Sequence, residues 1–237
     1  MAQHGRRVKA RLVAFPHSTI GQPDLAAFIR TLLVIVAFAG AAPFVATHAE
    51  TTLPVAAEQA AELHGAKLLQ ALHRGGYILY FRHTSTDFSA NDDDMTDYAD
   101  CAHQRNLTEQ GRAEARAIGA DVRALAIPIG DVLASPYCRT LETARLMFGR
   151  ATADNAVRGG PAQAEAERYA PLRALLAKKV EGGKNLVIAS HGNPFRAVAG
   201  GPYLAEGEAA VIEPLGAGGF RIVSRIGKDD WKALKAP

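Results

Sequence analysis

Hydrophobic positions change their spacing in a regular order along the chain. At residues 62–73, Leu63, Leu68, Leu69 and Leu72 recur at helical intervals before Gly75-Gly76, which predicts a helix with a glycine stop. The run YILYF at 77–81 is short, aromatic and β-branched, the pattern of a buried strand. Residues 87–100 are acidic and rich in turn formers, so they read as a loop. Over 108–125, Thr108 is a good N-cap, and Ala113, Ala117, Ile118, Val122 and Leu125 fall on one side of a helix. A strand at 129–135 and a helix at 139–148 follow. Residues 149–162 read as a loop broken by Gly159-Gly160-Pro161. A further helix is predicted at 165–180, and NLVIAS at 185–190 is the cleanest buried strand in the chain. Pro194 suits the first turn of another helix. Strands at 208–214 and 219–226, joined by a glycine-rich turn, end the pattern. Strands alternating with helices predict a three-layer α/β fold, with a largely parallel central sheet and helices on both faces.

Charge divides the chain differently. Of 237 residues, 27 are Lys or Arg and 24 are Asp or Glu. Residues 1–49 hold five of the bases (Arg6, Arg7, Lys9, Arg11, Arg30) and one acid, Asp24, while the remainder carries a net charge of −1. The basic balance therefore belongs to the leader, and the globular part gives no reason to expect nucleic acid as a partner. In the leader a basic stretch precedes an apolar run at 31–45, with Thr47 and Ala49 beyond it. That is the layout of a signal peptide or of a short membrane anchor. The expected organisation is a signal peptide or anchor at 1–49, a linker at 50–61 and one domain at 62–237. The expected location is outside the cytoplasm, in the periplasm, secreted or held at the membrane by an uncleaved leader.

Reactive residues sit at the ends of strands. The strand at 77–81 runs into Arg82-His83, that at 129–135 into Pro136-Tyr137-Cys138-Arg139, and that at 185–190 into His191-Gly192-Asn193-Pro194. In an open α/β sheet the ligand crevice lies beyond the carboxyl ends of the strands. Arg82, His83, Arg139 and His191 are thus expected to converge as an anion pocket. Arginine presents forked donors that suit phosphate oxygens, and histidine can attack phosphorus or stabilise the charge that develops.

The segments FRHTST, SPYCRTLETA and VIASHGNP, with QRNLTEQGRAEARAIG at 104–119, resemble the signatures of the histidine phosphatase (phosphoglycerate mutase-like) superfamily over residues 76–224. Thr84 stands where the family usually has glycine. The resemblance implies a phosphoglycerate mutase-like fold and a phosphomonoester hydrolase that needs neither metal nor cofactor. Its substrate would be a phosphorylated small molecule or a glycan phosphate. His83 would be the nucleophile and His191 the second pocket histidine. Arg82 and Arg139 would bind phosphate, together with the Thr86 hydroxyl and the N–H groups at Gly192. The family often supplies a glutamate as general acid. Glu206 and Glu208 are the favoured candidates here, ahead of Glu165, Glu167 and Asp92–Asp94.

Other chemistries fit less well. Ser135 and Ser190 follow strands, but neither lies in a G-x-S-x-G elbow. Residues 50–237 hold five histidines without a metal-binding H-x-x-x-H or C-x-x-C spacing. A phosphoglycerate mutase-like phosphotransferase and a non-catalytic phosphate-binding module are the alternatives. Two cysteines, Cys101 and Cys138, could pair and pin the acidic loop over the site, or stand as free thiols.

Overall fold

The computed structural model describes residues 62–158 and 168–235. The leader and linker expected at 1–61 lie outside them. The elements are α1 (Gly65–Arg74), β1 (Ile78–Arg82), α2 (Glu109–Ala124), β2 (Ile129–Ala134), α3 (Cys138–Phe148), β3 (Thr152–Ala153), α4 (Ala170–Ala177), β4 (Asn185–Ser190), α5 (Gly192–Ala199), β5 (Ala209–Gly216) and β6 (Gly219–Ile226). The strands form one sheet in the order β3-β2-β4-β1-β5-β6. β1, β2, β3 and β4 are mutually parallel, and β5 and β6 add an antiparallel margin.

β1 shows why three layers form. Its Ile78, Leu79, Tyr80 and Phe81 are all fully buried, as expected of a central strand covered on both faces. Successive side chains point to opposite faces. Leu79 and Phe81 join Leu68 and Leu72 of α1, Ile118 and Val122 of α2, and Met147 of α3. Ile78 and Tyr80 join Leu172 and Leu176 of α4 and Phe195 of α5. Two hydrophobic cores thus sandwich one sheet, and the predicted α/β architecture is the one observed.

Local signals fix several boundaries. The Thr108 hydroxyl accepts from the Gly111 N–H at 2.9 Å and caps α2 as expected. Gly111 has a tertiary reason as well: a Cβ there would lie 2.0 Å from the Ser85 carbonyl oxygen, so α2 can rest on the segment after β1 only through glycine. Other boundaries differ from expectation. The segment 149–162, read as a loop, contains β3, which pairs with Leu133 and Ala134 at the sheet margin. Two residues are too few to show a hydrophobic period. The helix expected at 165–180 is described as α4, with Pro171 in its first turn and Lys178 already extended. Beyond β6, Trp231 is fully buried and stacks on Phe81 with ring centroids 5.6 Å apart. No periodicity announces that plug.

Candidate active site

β1, β2 and β4 are parallel neighbours in register, with Arg82 opposite Ser190 and Ala134 opposite Ala189. Their carboxyl ends therefore lie side by side, and the residues that follow line one cavity of about 810 Å³. Arg82, His83, Arg139, His191 and Gly192 all reach its wall. The convergence expected from the three strand ends is the arrangement observed.

His83 is buried, and its ring meets that of His191 edge-on at 5.6 Å between centroids. Its Nδ1 lies 2.9 Å from the Thr84 carbonyl oxygen. A carbonyl only accepts, so Nδ1 carries the proton and Nε2 keeps a free lone pair. Burial pushes the imidazole pKa down to about 3, helped by the charges of Arg139, Arg82 and Arg105, against the raising effect of the Thr84 hydrogen bond. The ring is thus neutral and nucleophilic at any physiological pH. Thr84 is fully buried, and its N–H and hydroxyl both meet the Thr143 hydroxyl, which donates to the Arg139 carbonyl. The Thr84 side chain thus ties the segment after β1 to α3.

His191 is the N-cap residue of α5. Its Nε2 lies 2.8 Å from the Ser135 hydroxyl, and its carbonyl accepts from Tyr80. Burial holds its pKa well below the ordinary value, with the Arg139 charge next in weight. Gly192 backs directly onto the Tyr203 ring, where a Cβ would lie 2.0 Å from a ring carbon.

Arg139 stacks over the Tyr137 ring at 4.4 Å. Its fork is engaged by Asp92, with Nη1 to Oδ1 at 2.9 Å and Nη2 to Oδ2 at 3.0 Å. Asp92 thus occupies the bidentate geometry in which a phosphate would be bound. Burial raises its carboxyl pKa, but the Arg139 hydrogen bonds outweigh this and hold it below the usual range.

The other carboxylates fall in different places. Glu206 accepts from the Thr86 hydroxyl at 2.7 Å and lies 3.5 Å from an Arg82 nitrogen and 3.7 Å from His83 Nδ1. It sits behind His83, on the protonated side of the ring. Thr86, expected to touch phosphate, has its hydroxyl committed to Glu206 instead, and neither residue lines the cavity. Glu208 pairs with Arg225 at 2.6 Å and accepts from the Ala205 N–H. The structure does not bring it to the cavity: its side chain turns to Arg225 of β6 instead. Asp93 joins Asp92 on the cavity wall, Asp94 does not, and Glu165 and Glu167 lie outside the described residues.

Arg105, Arg158, Arg168 and Arg196 also line the cavity, and sequence reasoning missed them. Only Arg105 had a signal, its place inside the QRNL segment. Among the described residues, no group of three or more His, Cys, Asp or Glu side chains is arranged to hold a metal ion, and no helix is long and apolar enough to cross a membrane.

Cys101 and Cys138 form a disulfide with Cα atoms 5.7 Å apart. Beside it the Gln104 side chain accepts from the Cys138 N–H at 2.9 Å, satisfying one of the free donors that open α3. The acidic loop is thereby clamped to the helix that carries Arg139. In the chain-entropy model, closing a loop of this length stabilises by about 3–4 kcal/mol at most. Reduction, or Cys101→Ser, should lower the denaturant midpoint accordingly. Equal midpoints for oxidised and reduced protein would show that the clamp adds nothing.

The two neutral histidines also set a pH dependence. Unfolding returns each to the ordinary value of 6.5, so below 6.5 the unfolded chain binds more protons than the folded one. The contribution of His83 to stability is fully present above 6.5 and is lost as pH falls toward 3, and that of His191 falls in the same direction, with a slope of up to about 1.4 kcal/mol per pH unit for each ring. Melts between pH 7.5 and 5, where most carboxylates stay ionised, should show this decline, and His83→Gln should flatten it. An unchanged slope in His83→Gln would show that His83 is not held neutral by the fold.

The ends of the parallel strands thus gather two neutral histidines and several arginines around one cavity, a site suited to an anion. Residues 78–158 match the model of the histidine phosphatase superfamily (branch 1). No curated protein matches it. Among solved structures, it is similar to the protein histidine phosphatase SixA complexed with tungstate, at 19% identity over 64% of this chain and 97% of that one, with a TM-score of 0.48. It is also similar to a mycobacterial glucosyl-3-phosphoglycerate phosphatase with inorganic phosphate, at 16% identity over 65% and 99%, TM-score 0.48. A third is a phosphoserine phosphatase mutant from Entamoeba histolytica in complex with phosphoserine, at 13% identity over 65% and 98%, TM-score 0.46.

Proposed function

We propose that this chain is an exported phosphomonoester hydrolase that works through a phosphohistidine on His83 and needs no metal ion. The observation that carries the reading is the state of His83: buried, neutral, protonated on Nδ1 and surrounded by arginines. The Nε2 lone pair attacks phosphorus in line, the N–P bond forms and the P–O bond to the alcohol breaks. Water then attacks phosphorus, the N–P bond breaks, and His83 and inorganic phosphate are released. Arg82, Arg139 and His191 hold the equatorial oxygens, where charge spreads in the transition state. Arg139 must exchange Asp92 for phosphate to do so.

Glu206 fits a different role from proton donor. Once Nε2 is bonded to phosphorus, a ring that keeps its Nδ1 proton carries a positive charge. The Glu206 carboxylate, 3.7 Å from that nitrogen, compensates it. Protonation of the leaving alcohol falls to the wall carboxylates, Asp93 or an Asp92 displaced from Arg139. Export rests on the leader and on the disulfide, which persists in oxidising compartments. Hydrolysis of phenyl phosphate with a chelator present is the test. Phosphate bound without turnover would favour a binding module, and activity only after adding a divalent ion would refute the metal-free mechanism.

A further inference from the structure

The cavity holds more positive charge than one phosphate uses. Arg82, Arg105 and Arg139 are the charges that act most on the two histidines, so they surround the reacting centre. Arg158, Arg168 and Arg196 belong to the same wall but come from other elements: the turn after β3, the approach to α4, and α5.

Among the described residues, no acid stands opposite these three guanidiniums. Among the described residues none donates a side-chain hydrogen bond or makes an ion pair, and the Nε atoms of Arg158 and Arg168 are buried without a partner. Among the described residues, the carboxylates on the wall are Asp92, spent on Arg139, and Asp93. Aromatic faces hold two of the arginines in place, Tyr98 under Arg158 at 5.1 Å and Tyr169 under Arg168 at 5.4 Å. Stacking uses the faces of a guanidinium and leaves its N–H edges to bind. Burying donors and charge without a counterpart is costly, and an anion brought by the substrate would offset that cost. The volume, about 810 Å³, suits a whole small molecule rather than a phosphoryl group alone, since such pockets run to about 300–1,000 Å³.

We propose that Arg158, Arg168 and Arg196 form a second anion subsite, and that the substrate is a phosphomonoester bearing a further phosphate or carboxylate. The proposal rests on the hydrolase reading above and narrows its substrate class. A substrate with a single phosphate leaves the outer arginines unpaired, so it binds less tightly at the same reacting centre.

The test compares phenyl phosphate with 1,3-phenylene bisphosphate and 4-phosphonooxybenzoate. At least one of the doubly anionic esters should have a kcat/KM tenfold or more above phenyl phosphate. In Arg158→Gln/Arg168→Gln that ratio should fall toward one, mainly through KM. Arg196 is exposed, so Arg196→Gln keeps the fold in view if the double variant melts early, and it should lower the ratio about threefold. Calorimetry on His83→Ala gives a readout independent of turnover: the bisphosphate should bind at least tenfold more tightly than phenyl phosphate. Turnover of all three esters at equal kcat/KM, or a preference retained in the arginine variants, overturns the subsite and leaves the hydrolase reading standing. Tight, arginine-dependent binding of the bisphosphate with no turnover of any ester overturns the hydrolase reading and supports the subsite.

Discussion

His83→Ala should reduce phosphomonoesterase activity by about 10⁴-fold or more, the scale seen when a covalent nucleophile is deleted. The variant should remain folded. The His83 ring makes a hydrogen bond to the adjacent Thr84 carbonyl, and Thr84, which links the segment to α3, is untouched. Wild-type enzyme quenched during turnover should carry phosphate on a peptide containing His83, labile in acid and stable in alkali, and the variant should carry none. Full activity in His83→Ala would sink the mechanism. Activity lost without any phosphoenzyme in the wild type would move the histidine from nucleophile to charge stabiliser.

Arg139→Ala should cost about 10²–10³-fold in kcat/KM, or roughly 3–4 kcal/mol, as for removal of a preorganised donor that acts in the transition state. The reason is geometric. Arg139 is buried, stacked on Tyr137 and already shaped around a bidentate carboxylate, so its fork is preorganised for two phosphate oxygens. Arg139→Lys should recover only part of the loss, because lysine keeps the charge and loses the fork. Both variants free Asp92 from its partner and should loosen the acidic loop, although the Cys101–Cys138 bridge still ties it to α3. A loss of less than about threefold in Arg139→Ala, with the fold intact, would remove this arginine from the transition state.

Asp92 and Glu206 show how a carboxylate's role depends on what it faces. Sequence reasoning grouped both as possible proton donors. In the fold one is locked on Arg139 and the other lies behind His83, so in the proposed mechanism they bear on opposite sides of the reaction: one would compete with the phosphate, the other would meet the charge of the phosphorylated ring.

The sequence by itself determined the layered α/β architecture and the inner pocket. Hydrophobic period is a local property, and it is strong wherever an element is long and packs on one or both faces, as in β1, α2 and β4. Residues that end parallel neighbouring strands must lie together, so Arg82, His83, Arg139 and His191 could be gathered from three separate stretches. Only the tertiary structure decided the rest. β3 is too short to carry a period, and Trp231 seals a core formed by residues far from it in sequence. The choice between Glu206 and Glu208 turns on which way two residues of one turn point, one toward Thr86 and the other toward Arg225. The disulfide and the outer arginines depend on loops whose paths are set by contacts between distant segments, such as Gln104 on the start of α3 and Arg158 on Tyr98. Such contacts join residues with no fixed spacing in the chain, so no local pattern could have revealed them.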